Sequence, residues 1–325
     1  MTGSATALTV RNLSVRFRDE RRAAPVVHDL DLALPAGEIT GLAGESGSGK
    51  TLSALTLLGL VDQRVFRTSL GEYTLAGESM TPSKLAANRG RRIAMVFQDP
   101  ATALDPVFSI GSQLTRCLRR LGGITRSEAR DRALGALEAV GFDSPGELMT
   151  RYPHQLSGGM RQLCVLAMAQ ALRPAVLLAD EPTTALDAVS QHHVLEQLQS
   201  LARHHGTAVL LITHDLRLLN RYARNVYVMY HGHIVERLAG AGLVGRNRHP
   251  YTRGLVDALP RLSTGPDGPS RGIPGDPPPV GEPLQGCVFA PRCPVASVRC
   301  RMEAPERTED AHGELACHHP LGDDS

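Results

Sequence analysis

Apolar and polar positions along the chain fall into three rhythms. Leu8–Phe17 (LTVRNLSVRF) and Val26–Leu34 (VVHDLDLAL) alternate with the period of a half-buried strand, and Pro35-Ala36-Gly37 closes the second with a turn. Short apolar runs follow at Glu38–Ala43, Ile93–Phe97, Ala175–Ala179 and Ala208–Thr213, as expected of strands buried on both faces. Helical spacing governs Thr51–Val61, Ile110–Leu121, Arg126–Val140, Leu163–Leu172 and Ser190–Arg203. Thr125 with Glu128 makes a capping box for the third of these. Val226–Tyr230 and His233–Arg237, joined through Gly232, predict a hairpin. Residues 68–98 add a further strand pattern and a polar helix-like stretch. Buried strands alternating with helices predict an α/β fold with an antiparallel β layer from the N-terminal strands. No strong strand pattern interrupts residues 101–155, which predicts an inserted helical subdomain over about 101–160.

The chemistry concentrates where apolar runs end. Between the strand at Glu38–Ala43 and the helix at Thr51–Val61 lies Gly44-Glu45-Ser46-Gly47-Ser48-Gly49-Lys50-Thr51, a phosphate-binding loop in its required strand–loop–helix context. Glycines let the backbone turn its N–H groups inward, and the helix N-terminus behind them favours an anion. Lys50 is placed to reach the β- and γ-phosphates of a nucleotide, and the Thr51 hydroxyl to bind Mg²⁺. Ala175–Ala179 runs directly into Asp180-Glu181. A strand-end carboxylate is what Mg²⁺ needs beside a triphosphate, and the next carboxylate can act on the attacking water; a surface pair at a strand end is the plainer alternative. Gln98 and His214 also follow strands, at the sheet edge where ligands bind in α/β folds, although a lone histidine is more often structural. Leu156-Ser157-Gly158-Gly159-Met160 precedes an apolar helix and offers a second anion-binding helix start, or simply a turn. Phe17 ends the first strand and could stack on a base or pack in the core.

Composition narrows the setting. The 325 residues are 42% hydrophobic, enough for a sizeable core, and a net charge of +2 gives no footprint for nucleic acid. No apolar run approaches the roughly 20 residues of a membrane span, and residues 1–20 show no signal-peptide pattern. A soluble, cytosolic chain is the expectation. Residues 260–285 are rich in Pro and Gly and read as an extended connector. Beyond it Cys287, Cys293, Cys300 and Cys317 cluster, with five, six and sixteen residues between them, in a segment too small to fold on apolar burial alone. Four soft ligands suit a 4Fe–4S cluster or tetrahedral zinc. The absence of a closely spaced cysteine pair leans toward the cluster, while His312, His318 and His319 keep a mixed zinc site open.

Taken together and in order, these stretches resemble the ATPase subunit of ATP-binding-cassette (ABC) transporters. GESGSGKT is similar to the Walker A loop, Gln98 to the Q-loop, LSGGMRQ to the signature motif, and VLLADE to the Walker B strand. Ala185-Leu186-Asp187 is similar to the D-loop and His214 to the switch histidine; Phe17 falls where the family places its adenine-stacking aromatic. Leu163 departs from the pattern, since many relatives have arginine there. The tail, HPYTRGLVDALPRL at 249–262, GIPGDPPP at 272–279 and GCVFAPRCPVASVRC at 286–300, resembles the C-terminal extension of oligopeptide and dipeptide importer ATPases.

The resemblance implies a P-loop ATPase domain over 1–258, with a mixed-sheet core, and a metal-bound extension over 259–325. It implies ATP on Phe17 and Gly44–Thr51, Mg²⁺ held by Thr51, Gln98 and Asp180, and the signature residues Leu156–Met160 closing a partner's ATP. A 4Fe–4S cluster on the four cysteines is implied, with Zn²⁺ as the alternative. The implied partners are a second, homologous ATPase in a heterodimer, two transmembrane permeases and an extracytoplasmic substrate-binding protein. The implied place is peripheral, on the cytoplasmic face of the plasma membrane. Nickel, metal chelates or other peptide-like solutes are alternative cargoes, and a soluble non-transport ABC ATPase is the remote alternative.

Overall fold

The computed structural model describes residues 5–19, 24–184, 186–239, 245–259, 272–310 and 312–322. Ala185 of the D-loop stretch and residues 260–271 of the connector lie outside the described residues. The chain divides into two compact units, one built mainly from 74–212 and the other from 9–32, 40–73 and 213–325.

The first unit is built on three parallel strands, Ile93–Val96, Val176–Asp180 and Ala208–Ile212, with the middle one paired on both sides. Both Val176–Asp180 and Ala208–Ile212 are buried at every position, the reason their sequences are unbroken rather than alternating. Residues 97–175 contain helices and no strand, chiefly Ile110–Gly122, Arg126–Ala139 and Gly158–Leu172. The Thr125–Glu128 capping box forms in both directions: the Thr125 hydroxyl accepts from the Glu128 N–H, and the Glu128 carboxylate accepts from the Thr125 N–H at 2.9 Å. Two helices start earlier than hydrophobic period predicts. Gly158–Leu172 begins five residues before Leu163 because Ser157 caps it, and Ala188–His205 begins before Ser190 because the Asp187 carboxylate accepts from the Val189 and Ser190 N–H groups. A cap fixes the first turn even where the apolar stripe has not begun.

The second unit carries a mixed sheet. Ile39–Ala43 lies parallel to Asn225–Tyr230, which forms the expected hairpin with His233–Ala239. The helix after the phosphate loop is Lys50–Leu57, shorter than the apolar run. It ends in a Schellman motif, with Leu60 N–H on the Leu55 carbonyl and Gly59 N–H on that of Thr56. Two short strands, Thr308–Asp310 and Gly313–Leu315, continue the sheet from His233–Ala239. They are too short and polar to carry a strand pattern. Pairing supports them, with Arg237 on Glu309 (2.7 Å) and Glu314 (2.8 Å), and Arg248 on Asp310 (2.6 Å). Inside the edge, buried Glu236 accepts from the Arg248 and His249 N–H groups and so fixes the entry to helix Pro250–Asp257. The tail is therefore part of the sheet that carries the phosphate loop.

Two histidines of this unit are held neutral. Burial lowers the His233 pKa to about 3, helped by His28, whose ring stacks on it at 3.9 Å. Burial likewise lowers His249 to about 3. The unfolded chain protonates both near pH 6.5, so between about pH 6.5 and 3 it binds more protons than the folded protein, and stability falls as pH falls through that window. From pH 7 to 5 each histidine should remove about 2 kcal/mol of unfolding free energy. In urea unfolding at the two pH values, His233→Gln should show a drop smaller by about that amount; an undiminished drop contradicts this assignment.

Candidate active site

The phosphate loop leaves strand Ile39–Ala43 fully buried and enters helix Lys50–Leu57 with Gly49 in the position of its N-cap. Gly44 (φ +150°) lies so close to the Met229 carbonyl that any Cβ would overlap that oxygen. At Gly49 (φ +107°) a Cβ would stand 3.1 Å from the Val26 carbonyl. Both positions therefore exclude side chains. The Ser48 carbonyl accepts from Gly232 N–H at 2.9 Å, tying the loop to the hairpin turn. Lys50 is buried, and its ammonium donates to the carbonyls of Gly44 (2.8 Å) and Glu45 (2.9 Å) and to Ser48 Oγ (3.4 Å). It thus holds the loop's curve from inside. Ser46 and Gly47 form the exposed tip, and Thr51 is exposed at the first turn of a helix with no side-chain cap. Uncapped N–H groups at a helix start are an anion-binding arrangement.

The loop is also held from outside, by residues the sequence did not single out. Arg292 grips the Glu45 carboxylate with both terminal nitrogens, at 2.6 and 3.0 Å, while its Nε donates to the Pro274 carbonyl at 2.9 Å. Its side chain is 4% exposed. Tyr251 is fully buried, and its hydroxyl accepts from the Glu45 N–H at 2.8 Å. Tyr251 packs against Tyr230 and Phe289, with ring centroids 4.6 and 5.3 Å away. The His249-Pro250-Tyr251 stretch explains the placement: His249 caps the helix through Nδ1, Pro250 occupies its first turn, and Tyr251 is aimed at the loop. The stretch was legible in the sequence, but its target was not.

Phe17 stacks on Phe66, its cross-strand partner, at 5.0 Å. His214 is exposed two residues beyond strand Ala208–Ile212.

In the first unit, Asp180 is the last residue of its strand and is buried. Glu181 follows with φ +47°, a left-handed backbone that a non-glycine residue adopts only when its surroundings hold it there. Its N–H donates to the Ile212 carbonyl at 2.9 Å, and its carboxylate accepts from Thr184 Oγ1 at 2.9 Å. Gln98 is exposed just past strand Ile93–Val96. Signature and D-loop stretches meet: a Cβ on Gly159 would lie 2.7 Å from Ser190 Oγ, and that hydroxyl donates to the Asp187 carboxylate at 2.7 Å. The Ser190 bond is also the main reason the Asp187 pKa is lowered. Leu156 is buried beneath this start, whereas Ser157 and Gly158 are exposed.

Cys287, Cys293, Cys300 and Cys317 are free thiols that line one small cavity with His249, His318 and His319. Burial raises the pKa of Cys287 and Cys293, and pushes Cys317 up to about 11. A metal bound here would have to displace those protons. Among the described residues no group of three or more His, Cys, Asp or Glu side chains is arranged to hold a metal ion. The geometry as it stands thus does not support the metal-bound extension expected from the sequence.

A glycine loop between a buried strand and a helix, on a mixed sheet, defines a P-loop nucleotide-binding protein. Residues 27–184 match the family described as "ABC transporter", and residues 235–300 that described as "Oligopeptide/dipeptide transporter, C-terminal region". The chain is 40% identical to the dipeptide transport ATP-binding protein DppD of Escherichia coli, over 97% of each chain. It is 39% identical to the oligopeptide transport ATP-binding protein AppD of Bacillus subtilis, over 93% of this chain and 92% of the relative. Its fold is similar to that of cbiO1 from Clostridium perfringens, part of an ABC transporter complex, at 24% identity and a TM-score of 0.62 over 73% of this chain and 88% of that one. The chain belongs to the ABC transporter ATP-binding subunits, in their oligopeptide/dipeptide branch.

The outer clamp on Glu45 makes a prediction. Arg292→Ala leaves a partly buried carboxylate beside the phosphate loop without its charged partner and should weaken ATP binding about 5- to 30-fold, as expected for losing a charge-assisted pair worth about 1–2 kcal/mol. Titration with a fluorescent ATP analogue measures this. Arg292→Lys should recover part of the loss; an unchanged affinity in Arg292→Ala shows that the clamp does not position the loop.

Proposed function

We propose that this chain is the ATP-hydrolysing subunit of a membrane importer of di- and oligopeptides. The observation that carries the reading is end-to-end similarity, near 40% identity, to dipeptide and oligopeptide transport ATP-binding proteins, on a chain whose phosphate loop is fully formed. We read 1–258 as the ATPase domain with a helical subdomain inserted at about 101–160, and 259–325 as its appended extension. Among the described residues no helix is long and apolar enough to cross a membrane, consistent with a peripheral subunit on the cytoplasmic face. Its partners are two transmembrane permeases, an extracytoplasmic binding protein and a second ATPase, read as a homologous but different chain.

The chemistry is transfer of the γ-phosphoryl group to water, which depends on positioning and charge stabilisation. Phe17 stacks on the adenine, and the N–H groups of Gly44–Thr51 with Lys50 bind the phosphates. The Thr51 hydroxyl, the Asp180 carboxylate and the Gln98 amide are hard oxygen donors of the kind Mg²⁺ takes, and its charge, when bound, offsets that of the phosphates. Glu181, with its backbone fixed by the Ile212 carbonyl, orients and deprotonates the water. His214 contacts the γ-phosphate. Leu156–Met160 close over the ATP of the second ATPase, and Asp187 couples that closure to its own site through Ser190. In the assembled transporter, Glu181→Gln should keep ATP binding but lower hydrolysis and ATP-driven peptide uptake about 100-fold or more, the usual worth of a general base. Wild-type turnover in that variant removes Glu181 from this role. Loss of hydrolysis with no peptide uptake in the parent complex points instead to another cargo.

For the extension we propose a 4Fe–4S cluster on Cys287, Cys293, Cys300 and Cys317, with zinc as the competing occupant. Support comes from the donor set: four unpaired thiols face one cavity, and His318 and His319 beside them leave a mixed site open to zinc. Binding must displace the thiol protons, and burial holds on those of Cys287, Cys293 and Cys317. The cluster's role is structural, fixing Arg292, the neighbour of Cys293, against Glu45. Protein purified without oxygen should be brown with about four irons per chain, and Cys293→Ser should lose them while still binding ATP, weakened no further than in Arg292→Ala. Colourless protein with one zinc rejects the cluster.

A further inference from the structure

A cavity of about 370 Å³ opens in the first unit beside the hairpin of helices Ile110–Gly122 and Arg126–Ala139. None of its lining residues belongs to the motifs assigned above to ATP. On the first helix Ser112, Thr115, Arg116 and Arg119 recur at helical spacing and share one face; on the second, Arg126 and Arg130 stand one turn apart. The far wall is rigid: the Gly111 N–H donates to the Met149 carbonyl at 2.9 Å, and a Cβ on Gly111 would lie 2.7 Å from Met149.

Four arginines line this cavity and no acidic residue does. None of the four forms an ion pair among the described residues. The arrangement is locally unfavourable without a counter-charge. Arg126 and Arg130 repel at one-turn spacing, and Arg126 occupies the first turn of a helix, where the dipole disfavours a cation. Arg116 is set in place, with its guanidinium 4.2 Å above the Phe108 ring. Guanidinium forks flanked by hydroxyls are the donor set that recognises phosphate oxygens, and a cavity of this size admits more than a single phosphate. Met149 is the only apolar side chain of the lining, which disfavours a base or an acyl chain as the bound moiety.

We propose that this cavity is a second anion site, separate from the ATP site, for a ligand bearing at least two phosphate groups, borne by either a soluble metabolite or a phospholipid headgroup. The test uses the full-length chain with the phosphate loop filled by a saturating non-hydrolysable ATP analogue. Inositol hexakisphosphate probes the soluble source by calorimetry; phosphatidylcholine vesicles with and without cardiolipin, whose headgroup carries two phosphates, probe the lipid source by co-sedimentation. At least one probe should bind saturably, and Arg116→Gln with Arg126→Gln should weaken it tenfold or more. Arg91→Gln with Arg203→Gln, which removes two exposed arginines elsewhere, should change it less than twofold. Hydrogen exchange over residues 109–130 should slow on binding, a readout that does not depend on any variant. The soluble probe alone assigns the site to a metabolite; cardiolipin vesicles alone, to a headgroup. Failure of both probes to bind overturns the proposal, as does binding that the two pairs of substitutions weaken equally.

Discussion

The phosphate loop depends on being held closed from two sides. Inside, Lys50 spans the curve to the carbonyls of Gly44 and Glu45; outside, Arg292 and Tyr251 fix the side chain and the N–H of Glu45. An exposed glycine-rich loop has the highest conformational entropy in a chain, and ordering it only when a ligand arrives would reduce affinity. Here much of that ordering is already present. The outer contacts come from residues more than 200 positions away, which makes the tail a component of the nucleotide site rather than an ornament on it.

The same logic explains why the tail joins the sheet. Thr308–Asp310 and Gly313–Leu315 are too short to persist alone, yet paired on His233–Ala239 they extend the sheet that begins at Ile39–Ala43. Glu236, buried in that sheet, anchors the backbone of Arg248 and His249, and the next turn delivers Tyr251 to the loop. Arg292 arrives from the cysteine-lined segment. Any change in how the four thiols are held therefore bears on Glu45 through Arg292 and through Phe289, which packs on Tyr251.

In the first unit, rigidity is placed where chemistry is proposed. The parallel strands end at Val96, Asp180 and Ile212, and the residues that follow them include Gln98 and Glu181. The left-handed backbone at Glu181 is maintained by a hydrogen bond to the neighbouring strand. Strain at this residue, beside fully buried strands, fits a side chain whose direction matters. Asp187 and Ser190 similarly join the signature start to the helix after the D-loop stretch.

By itself the sequence determined whatever depends on local chemistry. Glycine spacing defined the phosphate loop, apolar runs defined the buried strands, and Thr125 with Glu128 defined a helix start, because each is set within a few residues. Helix starts at Gly158 and Ala188 were missed by period and set by caps. Only the tertiary structure decided the partners of those elements. Nothing near Glu45 points to Arg292, nothing in the polar 308–315 stretch reads as strand, and Arg116, Arg119, Arg126 and Arg130 look like a solvated surface until two helices fold them along one cavity. Long-range pairing depends on which surfaces meet, and that is a property of the folded chain rather than of any window of it.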